Sequence, residues 1–342
     1  MKRVNGRRLL HAADTVAGAC GLLRLWRRAS RDALIVLMYH RILPEDQAAS
    51  YPLANLVVTV AALREQAAWL AGHCRVMPLA EAIATPRGAA DSGGRPLVCL
   101  TFDDGYADNA IHAAPILAEY GCPATFFVTT GFVSGEPLWF DVVGRAWQRC
   151  GSRPLAKAAG QAHLPTALDG QLGWLKRQPT ARREQIVTAL RDSLGEDAQD
   201  PMDAAMTPQQ LATLTEAGHE IAAHTVTHPI LTRCSDAQLA RELAEPRETI
   251  QRWTGRAVVG MSYPNGDVDD RVATAAAAAG YTYACTIRRG ANGPDQPPLR
   301  LRRRMISPDN ATLAGRPSRV MFAAETLGWH EMLRRVTSTA VA

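Results

Sequence analysis

Short apolar runs recur along the chain and are separated by stretches of helical periodicity. Such runs predict buried β-strands, and they occupy residues 33–39, 97–102, 124–129, 219–223, 258–263 and 281–287. Helix start signals lie between them, at Thr59, at Thr207 with Gln210, and at Ser235 with Gln238. The alternation predicts an α/β fold with parallel strands, most simply a barrel, in which functional residues gather at the carboxyl ends of the strands.

The same patterns divide the chain into three parts. Residues 1–31 form a basic amphipathic segment, residues 32–315 carry the strand and helix alternation, and residues 316–342 are predicted as a C-terminal helix and tail. Within the central part, residues 141–206 are helical and loop-like without strand patterning. We interpret them as a helical insertion that could shape a substrate groove.

Two pairs of polar residues follow predicted strands directly. Asp103 and Asp104 follow the run 97–102, and His224 and His228 follow the run 219–223. Either pair alone is readily explained as a turn, a helix cap or a surface coincidence. Together they predict a divalent metal site in which two histidines and one aspartate leave positions open for water and substrate, as catalysis requires. Zinc or a near neighbour suits this ligand set.

The chain resembles the polysaccharide deacetylases, the NodB-homology or carbohydrate esterase family four enzymes, over roughly residues 35–306. The resemblance is carried mainly by two motifs, Thr101-Phe102-Asp103-Asp104-Gly105 and His224-Thr225-Val226-Thr227-His228. It implies a distorted barrel of about seven parallel strands. It also implies that Asp103 is the general base and that Asp104, His224 and His228 bind one divalent ion, zinc with cobalt or nickel as alternatives.

The third motif of the family is matched by Tyr263-Pro264-Asn265-Gly266. By resemblance, Tyr263 and Asn265 contact the substrate, and a backbone N–H at Asn265 holds the oxyanion. Many members carry an arginine that orients the base where this chain has Ser262, so Asp103 must be oriented in another way. The general acid has two candidates, His40 at the end of the first strand and His330 in a late Leu-Gly-Trp-His stretch; a core hydrogen-bonding role is the alternative for His40.

The resemblance implies hydrolysis of the acetyl amide of an N-acetylated amino sugar by metal-bound water. The substrate would be a bacterial surface polysaccharide, as in exopolysaccharide and envelope biosynthesis, or its lipid-linked precursor. The alternatives are a glycan-binding protein that lacks turnover, and a deformylase or O-deacetylase of a related sugar. A serine esterase is disfavoured because the chain has no Gly-x-Ser-x-Gly elbow.

Charge is distributed unevenly over the 342 residues. The net charge is +5, but residues 1–31 alone carry +7 and the remainder carries −2, which argues against nucleic-acid binding by the body of the protein. The N-terminal segment predicts peripheral contact with an anionic membrane; packing against the domain and fraying are the alternatives. Seven cysteines without Cys-x-x-Cys spacing, and no clear signal peptide or membrane span, favour a cytoplasmic or inner-membrane peripheral location.

A basic cluster lies near the end of the predicted barrel, formed by Arg300, Arg302, Arg303 and Arg304. Alternation with Leu299 and Leu301 suggests a strand with one charged face. We interpret the cluster as solvated surface, with a grip on an acidic or phosphate-bearing glycan as the alternative.

Overall fold

The structure is a computed structural model that describes residues 33–85, 94–161, 163–195, 200–313, 316–329 and 331. The predictions for the basic segment 1–31 and for the general-acid candidate His330 lie outside these residues. No helix within the described ranges is both long and apolar enough to cross a membrane.

Parallel strands form the centre of the fold. In chain order the strands are β1 (Leu34–Tyr39), β2 (Arg41–Leu43), β3 (Val57–Thr59), β4 (Arg75–Val76), β5 (Leu97–Phe102), β6 (Ala124–Val128), β7 (Glu220–Ala223), β8 (Gly260–Ser262), β9 (Tyr283–Cys285), β10 (Arg304–Met305), β11 (Thr312–Leu313) and β12 (Arg316–Pro317). Seven of them lie in the order β10-β1-β5-β6-β7-β8-β9, and each neighbouring pair is parallel. β4 pairs with the first residues of β5.

The seven strands curl into a half-barrel surrounded by helices, which confirms the predicted distorted barrel of about seven parallel strands. Every residue of β1 and β6 is buried. Parallel strands covered on both faces read as continuous apolar runs rather than as alternation. This is why these strands are visible in the sequence.

The α-helices are α1 (Glu45–Ser50), α2 (Val60–His73), α3 (Leu79–Ala84), α4 (Ala114–Glu119), α5 (Thr130–Val133), α6 (Trp139–Cys150), α7 (Arg153–Ala159), α8 (Leu168–Lys176), α9 (Thr180–Leu194), α10 (Pro208–Glu216), α11 (Asp236–Thr254), α12 (Asp270–Ala278), α13 (Pro308–Ala311) and α14 (Arg319–Leu327). The predicted caps begin α2, α10 and α11: Thr59 caps α2 through its side chain, and the other two helices carry capping boxes. A single π-helical turn, Asn109–Ala113, precedes α4, which starts at Ala114 with Pro115 in its first turn.

In the structure we use the name insertion for helices α6 to α9, which begin at Trp139, two residues before the predicted start. These helices lie between β6 and β7 and have an apolar cluster of their own. The cluster joins Leu172, Leu175 and Leu190 of these helices to Tyr51 and Leu53 of the segment that links β2 to β3. A parallel crossover needs only one helix, and α10, which packs along β7, serves that purpose. The four additional helices therefore form a second layer beside the carboxyl ends of the strands.

Candidate active site and metal centre

A cavity of about 490 Å³ opens at the carboxyl ends of the barrel strands. It brings together every predicted site residue that the structure describes, namely His40, Asp103, Asp104, His224, His228, Tyr263 and Asn265. The insertion contributes another wall, with Trp139 and Phe140 from α6 and four residues of α8. Barrel and insertion thus share one pocket.

The two adjacent aspartates leave β5 in different directions. The Asp103 backbone N–H donates to the Tyr39 carbonyl at 3.0 Å, which continues the pairing with β1. Asp104 has left the strand conformation, with φ of 78°, and its carbonyl accepts the Thr129 N–H at 3.1 Å. The turn separates the two carboxylates, so they can have different functions.

Asp104, His224 and His228 form a set of three candidate metal ligands, with one donor atom from each lying within 4.8 Å of the others. Asp104 Oδ1 lies 3.5 Å from His224 Nε2 and 3.4 Å from His228 Nε2. Two ligand atoms of a tetrahedral zinc ion are themselves about 3.4 Å apart. Asp104 Oδ2 is buried without a hydrogen-bond partner in the described part of the chain. The three residues therefore fit a divalent ion.

The two imidazoles are held so that Nε2 of each faces Asp104. His224 Nδ1 lies 2.7 Å from the Ser262 carbonyl, which fixes the proton on Nδ1 and leaves the Nε2 lone pair for a ligand. Burial and the neighbouring His224 lower the pKa of His228 to about 3, so this ring is neutral. Burial also acts to lower the pKa of His224, but Asp104 and Asp103 outweigh it and raise that pKa.

Glu242 of α11 fixes the loop that carries the histidines. One carboxylate oxygen accepts the backbone N–H groups of Val226 and Thr227 at 2.7 and 3.0 Å, and the other accepts the Thr227 hydroxyl at 2.8 Å. The Glu242 side chain is buried, 2% exposed. Sequence reasoning missed this residue because its helical position carries no motif.

Arg303 orients Asp103. Its Nη1 and Nη2 donate to Asp103 Oδ1 and Oδ2, both at 2.7 Å, and Nη2 also donates to the Ser262 hydroxyl at 2.7 Å. Nε donates to the Thr286 carbonyl at 3.0 Å. Burial acts to raise the pKa of Asp103, but Arg303 and His224 outweigh it and hold that pKa below its usual range. The arginine that position 262 lacks is thus supplied by the segment that leads into β10.

The interpretation of the arginine cluster as solvated surface is wrong for two of its members. Arg303 is 1% exposed and Arg304 is 4% exposed, whereas Arg302 is exposed. In extended backbone Arg303 lies on the same face as the buried Leu301, and Arg302 lies on the other. Arg304 turns inward because it donates to the Thr326 carbonyl of α14 and pairs with Glu331. The alternation with leucine was a usable signal for Arg303.

Backbone strain is concentrated in the three motifs. Within the described ranges, the non-glycine residues with positive φ are Asp104, Thr225, His228 and Asn265. Such conformations cost free energy and persist where the surroundings impose them, commonly at functional sites. The Asn265 side chain accepts from Lys176 Nζ at 2.6 Å and donates to Asp267 at 2.8 Å. Tyr263 is fully buried and donates its hydroxyl to the Leu299 carbonyl.

His40 lies on the cavity wall at the end of β1. Its carbonyl accepts the Asn109 side-chain amide at 3.0 Å, while its Nδ1 is buried without a partner among the described residues. Burial lowers the pKa of His40, although Asp104 and Asp103 oppose the fall. His40 therefore lines the cavity with one ring nitrogen that has no partner among the described residues.

The insertion contacts the metal motif directly. Trp139 Nε1 donates to the His228 carbonyl at 3.1 Å, and the Phe140 ring packs edge-on against the His228 imidazole at 5.1 Å between centroids. Trp139 is 7% exposed, so it serves packing at this position.

A parallel barrel that gathers an Asp-His-His set and a second, arginine-bound carboxylate at its strand ends has the features of a metal-assisted hydrolase. The family model described as polysaccharide deacetylase matches residues 90–284. The chain belongs to the polysaccharide deacetylase family, whose members are hydrolases of carbon–nitrogen bonds other than peptide bonds.

Individual relatives are distant. YxkH of Bacillus subtilis is 23% identical over 211 residues, which cover 62% of this chain and 52% of that protein, so the chain spans about half the length of that relative. The Streptococcus pyogenes deacetylase PplD, solved in complex with acetate, superposes with a TM-score of 0.55 at 20% identity, covering 81% of this chain and 94% of that one. For BA0330 of Bacillus anthracis the TM-score is 0.56 at 18% identity, covering 86% and 69%. These two structures share the fold.

Proposed function

We propose that this protein hydrolyses the acetyl amide of an N-acetylated amino sugar in a bacterial polysaccharide or its lipid-linked precursor. The reaction would use one divalent ion, and zinc is the ion we expect. The observation that carries the proposal is the meeting of Asp104, His224 and His228 with the arginine-bound Asp103 in one cavity. Family membership supports the bond class, and the ligand set supports the metal.

Asp104, His224 and His228 would hold the ion. When bound, such an ion supplies Lewis-acid chemistry, which polarises an acyl carbonyl and makes water more acidic. Because the Asp104 turn directs the neighbouring carboxylate elsewhere, Asp103 is free to accept a proton rather than to ligate.

Asp103 is the general base in this proposal. Its bidentate pair with Arg303 keeps it ionised and fixes the direction of its carboxylate, which a base needs in order to receive a proton from the attacking water. The Asn265 backbone N–H is the oxyanion donor, in the left-handed conformation that the third motif imposes. His40, on the cavity wall, is the general acid in this proposal; because its pKa is lowered, it must first take up a proton, which it then donates to the leaving amine.

The binding-only alternative has two grounds, the serine at position 262 and the lack of a clear general acid. Arg303 donates to both Asp103 and the Ser262 hydroxyl, so the base keeps a cationic partner and the first ground is weakened. Cleavage of a formyl amide or an acetyl ester needs the same residues. Formate identifies the formyl amide, whereas an acetyl ester and an acetyl amide both release acetate and are distinguished by the free amine that only the amide yields.

The test is acetate release from short N-acetylglucosamine oligomers by the purified protein after chelation, and again after zinc or cobalt is added back. We expect release that disappears on chelation and returns with the metal. Release of formate from an N-formyl sugar, without acetate from its N-acetyl counterpart, would redirect the proposal to a deformylase. Oligomer binding without release of either acid, at full metal loading, would contradict hydrolysis.

A further inference from the structure

Helix α8 presents one face to the cavity. Asp169, Leu172, Gly173 and Lys176 line the cavity and are spaced i, i+3, i+4 and i+7, the spacing of one helical face. Leu172 also packs in the apolar cluster of the insertion, which anchors the helix. The candidate metal-binding residues come from the barrel. Helix α8 forms a separate wall of the same cavity, opposite these residues.

Lys176 brings a cation to this wall without a direct counter-charge. Its Nζ donates to the neutral Asn265 Oδ1 at 2.6 Å, and no carboxylate of the described residues lies within the 4.0 Å of an ion pair. Asp267 accepts a hydrogen bond from the Asn265 side-chain amide and does not pair with Lys176 directly. Burial lowers the pKa of Lys176, and the more distant Asp267 and Asp169 oppose the fall.

An ammonium group has three N–H donors, and Asn265 takes one of them. Charges that leave water are normally paired, because the loss of hydration is otherwise uncompensated. Two other cations lie close to the metal set: Arg303 is already paired with Asp103, and Arg183 does not line this cavity. Lys176 is therefore the cavity cation with donors to spare for a ligand.

We propose that Lys176 is a specificity-determining residue that binds an anionic group of the substrate, and that the preferred substrate is an N-acetylated amino sugar bearing a carboxylate or a phosphate near the amide. The inference rests on the proposed function and names its substrate class. A sugar phosphate of a biosynthetic precursor and an acidic sugar of a polymer share this chemistry.

A purely structural role is the competing explanation. Lys176 lies in the last turn of α8, where a cation favours the helix dipole, and it holds Asn265. If these were its only roles, its replacement would affect charged and neutral substrates alike. The ratio of kcat/KM between the two kinds of substrate therefore separates the explanations.

The probes are N-acetylglucosamine as the neutral sugar, N-acetylglucosamine 1-phosphate and 6-phosphate, and N-acetylmuramic acid as the carboxylate. With the zinc-loaded full chain, we expect kcat/KM for at least one charged sugar to exceed the neutral value roughly tenfold to a hundredfold, as a hydrogen bond between charged groups allows. Whether a phosphate or the carboxylate is preferred identifies the source of the anion.

In Lys176→Met the ratio should fall towards one, and in Lys176→Arg, which keeps the charge, it should stay high. Lys157→Met, the same change at an exposed lysine of the insertion, should leave it unchanged. A wild-type ratio near one, or an equal loss for both kinds of sugar in Lys176→Met, would overturn the inference. Thermal unfolding confirms that each variant is folded.

The inference and the proposed function can fail separately. Metal-dependent acetate release without a preference for charge would leave the function standing and remove the role of Lys176. If no probe releases acetate, calorimetric binding of N-acetylglucosamine 1-phosphate and N-acetylglucosamine still measures the preference. Equal binding of the two would overturn the role of Lys176, and preferred binding that Lys176→Met removes would support it.

Discussion

The two walls of the cavity are built in contrasting ways. On the barrel side, Asp103, Arg303 and His224 are each at most 3% exposed, and each has fixed hydrogen-bond partners at strand ends. On the insertion side, Asp169 is exposed and Lys176 is half-buried, and both project from one short helix. If the proposed function is right, we expect the barrel wall to carry out the chemistry and the insertion wall to set which substrate is bound.

The difference follows from how each wall is held. Functional groups of the barrel are positioned by paired strands. Removing either partner of a buried ion pair such as Arg303 with Asp103 leaves the other charge buried and unpaired. The insertion wall is anchored by an apolar cluster through Leu172, and its polar groups reach the cavity as side chains. We therefore expect substitutions in the barrel wall to change the rate and those in α8 to change substrate preference.

The largest effect is expected at the metal set. Asp104→Ala removes one of three ligands, so acetate release should fall at least about a thousandfold, since metal chemistry contributes several kcal/mol to such transition states. Bound zinc, measured by mass spectrometry of the metal, should fall with it. Asp295→Ala, at an exposed aspartate, is the control. If Asp104→Ala released acetate as fast as the wild type, the barrel wall would not carry out the reaction.

Substitutions at Arg303 and Ser262 test whether the arginine that pairs with Asp103 can be moved to another part of the barrel. Arg303→Met should lower kcat about a hundredfold, within the range that general bases contribute, and should cost about 3–5 kcal/mol of stability because Asp103 is left buried and unpaired. The double variant Ser262→Arg/Arg303→Ser returns the guanidinium to the third motif at nearly constant volume. We expect it to recover most of the lost rate; recovery of stability without rate would show that the guanidinium must come from position 303. An unchanged kcat in folded Arg303→Met would show that Arg303 serves only the fold.

A substitution at Gly173 tests whether the insertion wall affects substrate binding. A Cβ added there meets only Arg177 Nη1, at 3.6 Å, so a side chain fits the helix and extends from the cavity wall. Gly173→Val should raise KM roughly tenfold with a smaller change in kcat. Gly72→Val, at an exposed position of α2, provides the matched control. A fall in kcat at constant KM would mean that α8 takes part in the chemistry.

His219 should affect stability and leave the reaction unchanged. It is 7% exposed, its Nδ1 accepts the Ala124 N–H at 3.1 Å, and burial lowers its pKa to about 4. The unfolded chain takes up this proton near pH 6.5, so stability is lost as the pH falls from about 6.5 towards 4. Between pH 7 and 5 the loss should be about 1–2 kcal/mol.

Urea unfolding at the two pH values measures this loss. The difference should shrink in His219→Gln and persist in His163→Gln, a change at an exposed histidine of the insertion. An unchanged pH dependence in His219→Gln would locate the acid sensitivity elsewhere in the molecule.

Much of the fold could be predicted because strands buried on both faces leave continuous apolar runs, as at 97–102 and 124–129. The meeting of Asp104 with His224 and His228 could be predicted too, since the carboxyl ends of parallel strands share one edge. Strand limits were less accurate: the run 258–263 shortens to Gly260–Ser262 and the run 281–287 to Tyr283–Cys285.

The supporting residues could not be predicted from motifs. Arg303 acts on a carboxylate 200 positions away and comes from a segment whose strand, β10, has only two residues. Glu242 lies within a helix among other charged residues, and only the fold brings it against the histidine loop. Lys176 reaches the cavity because the insertion packs beside the barrel, and neither composition nor spacing encodes that arrangement.

The most direct measurement is acetate release during a titration of the chelated protein with zinc. If Asp104, His224 and His228 form the single site that the chemistry needs, release from N-acetylglucosamine oligomers should rise in proportion to added zinc and stop rising at one ion per chain. Release that is insensitive to zinc, or that stays absent when one zinc per chain is bound, would contradict the account.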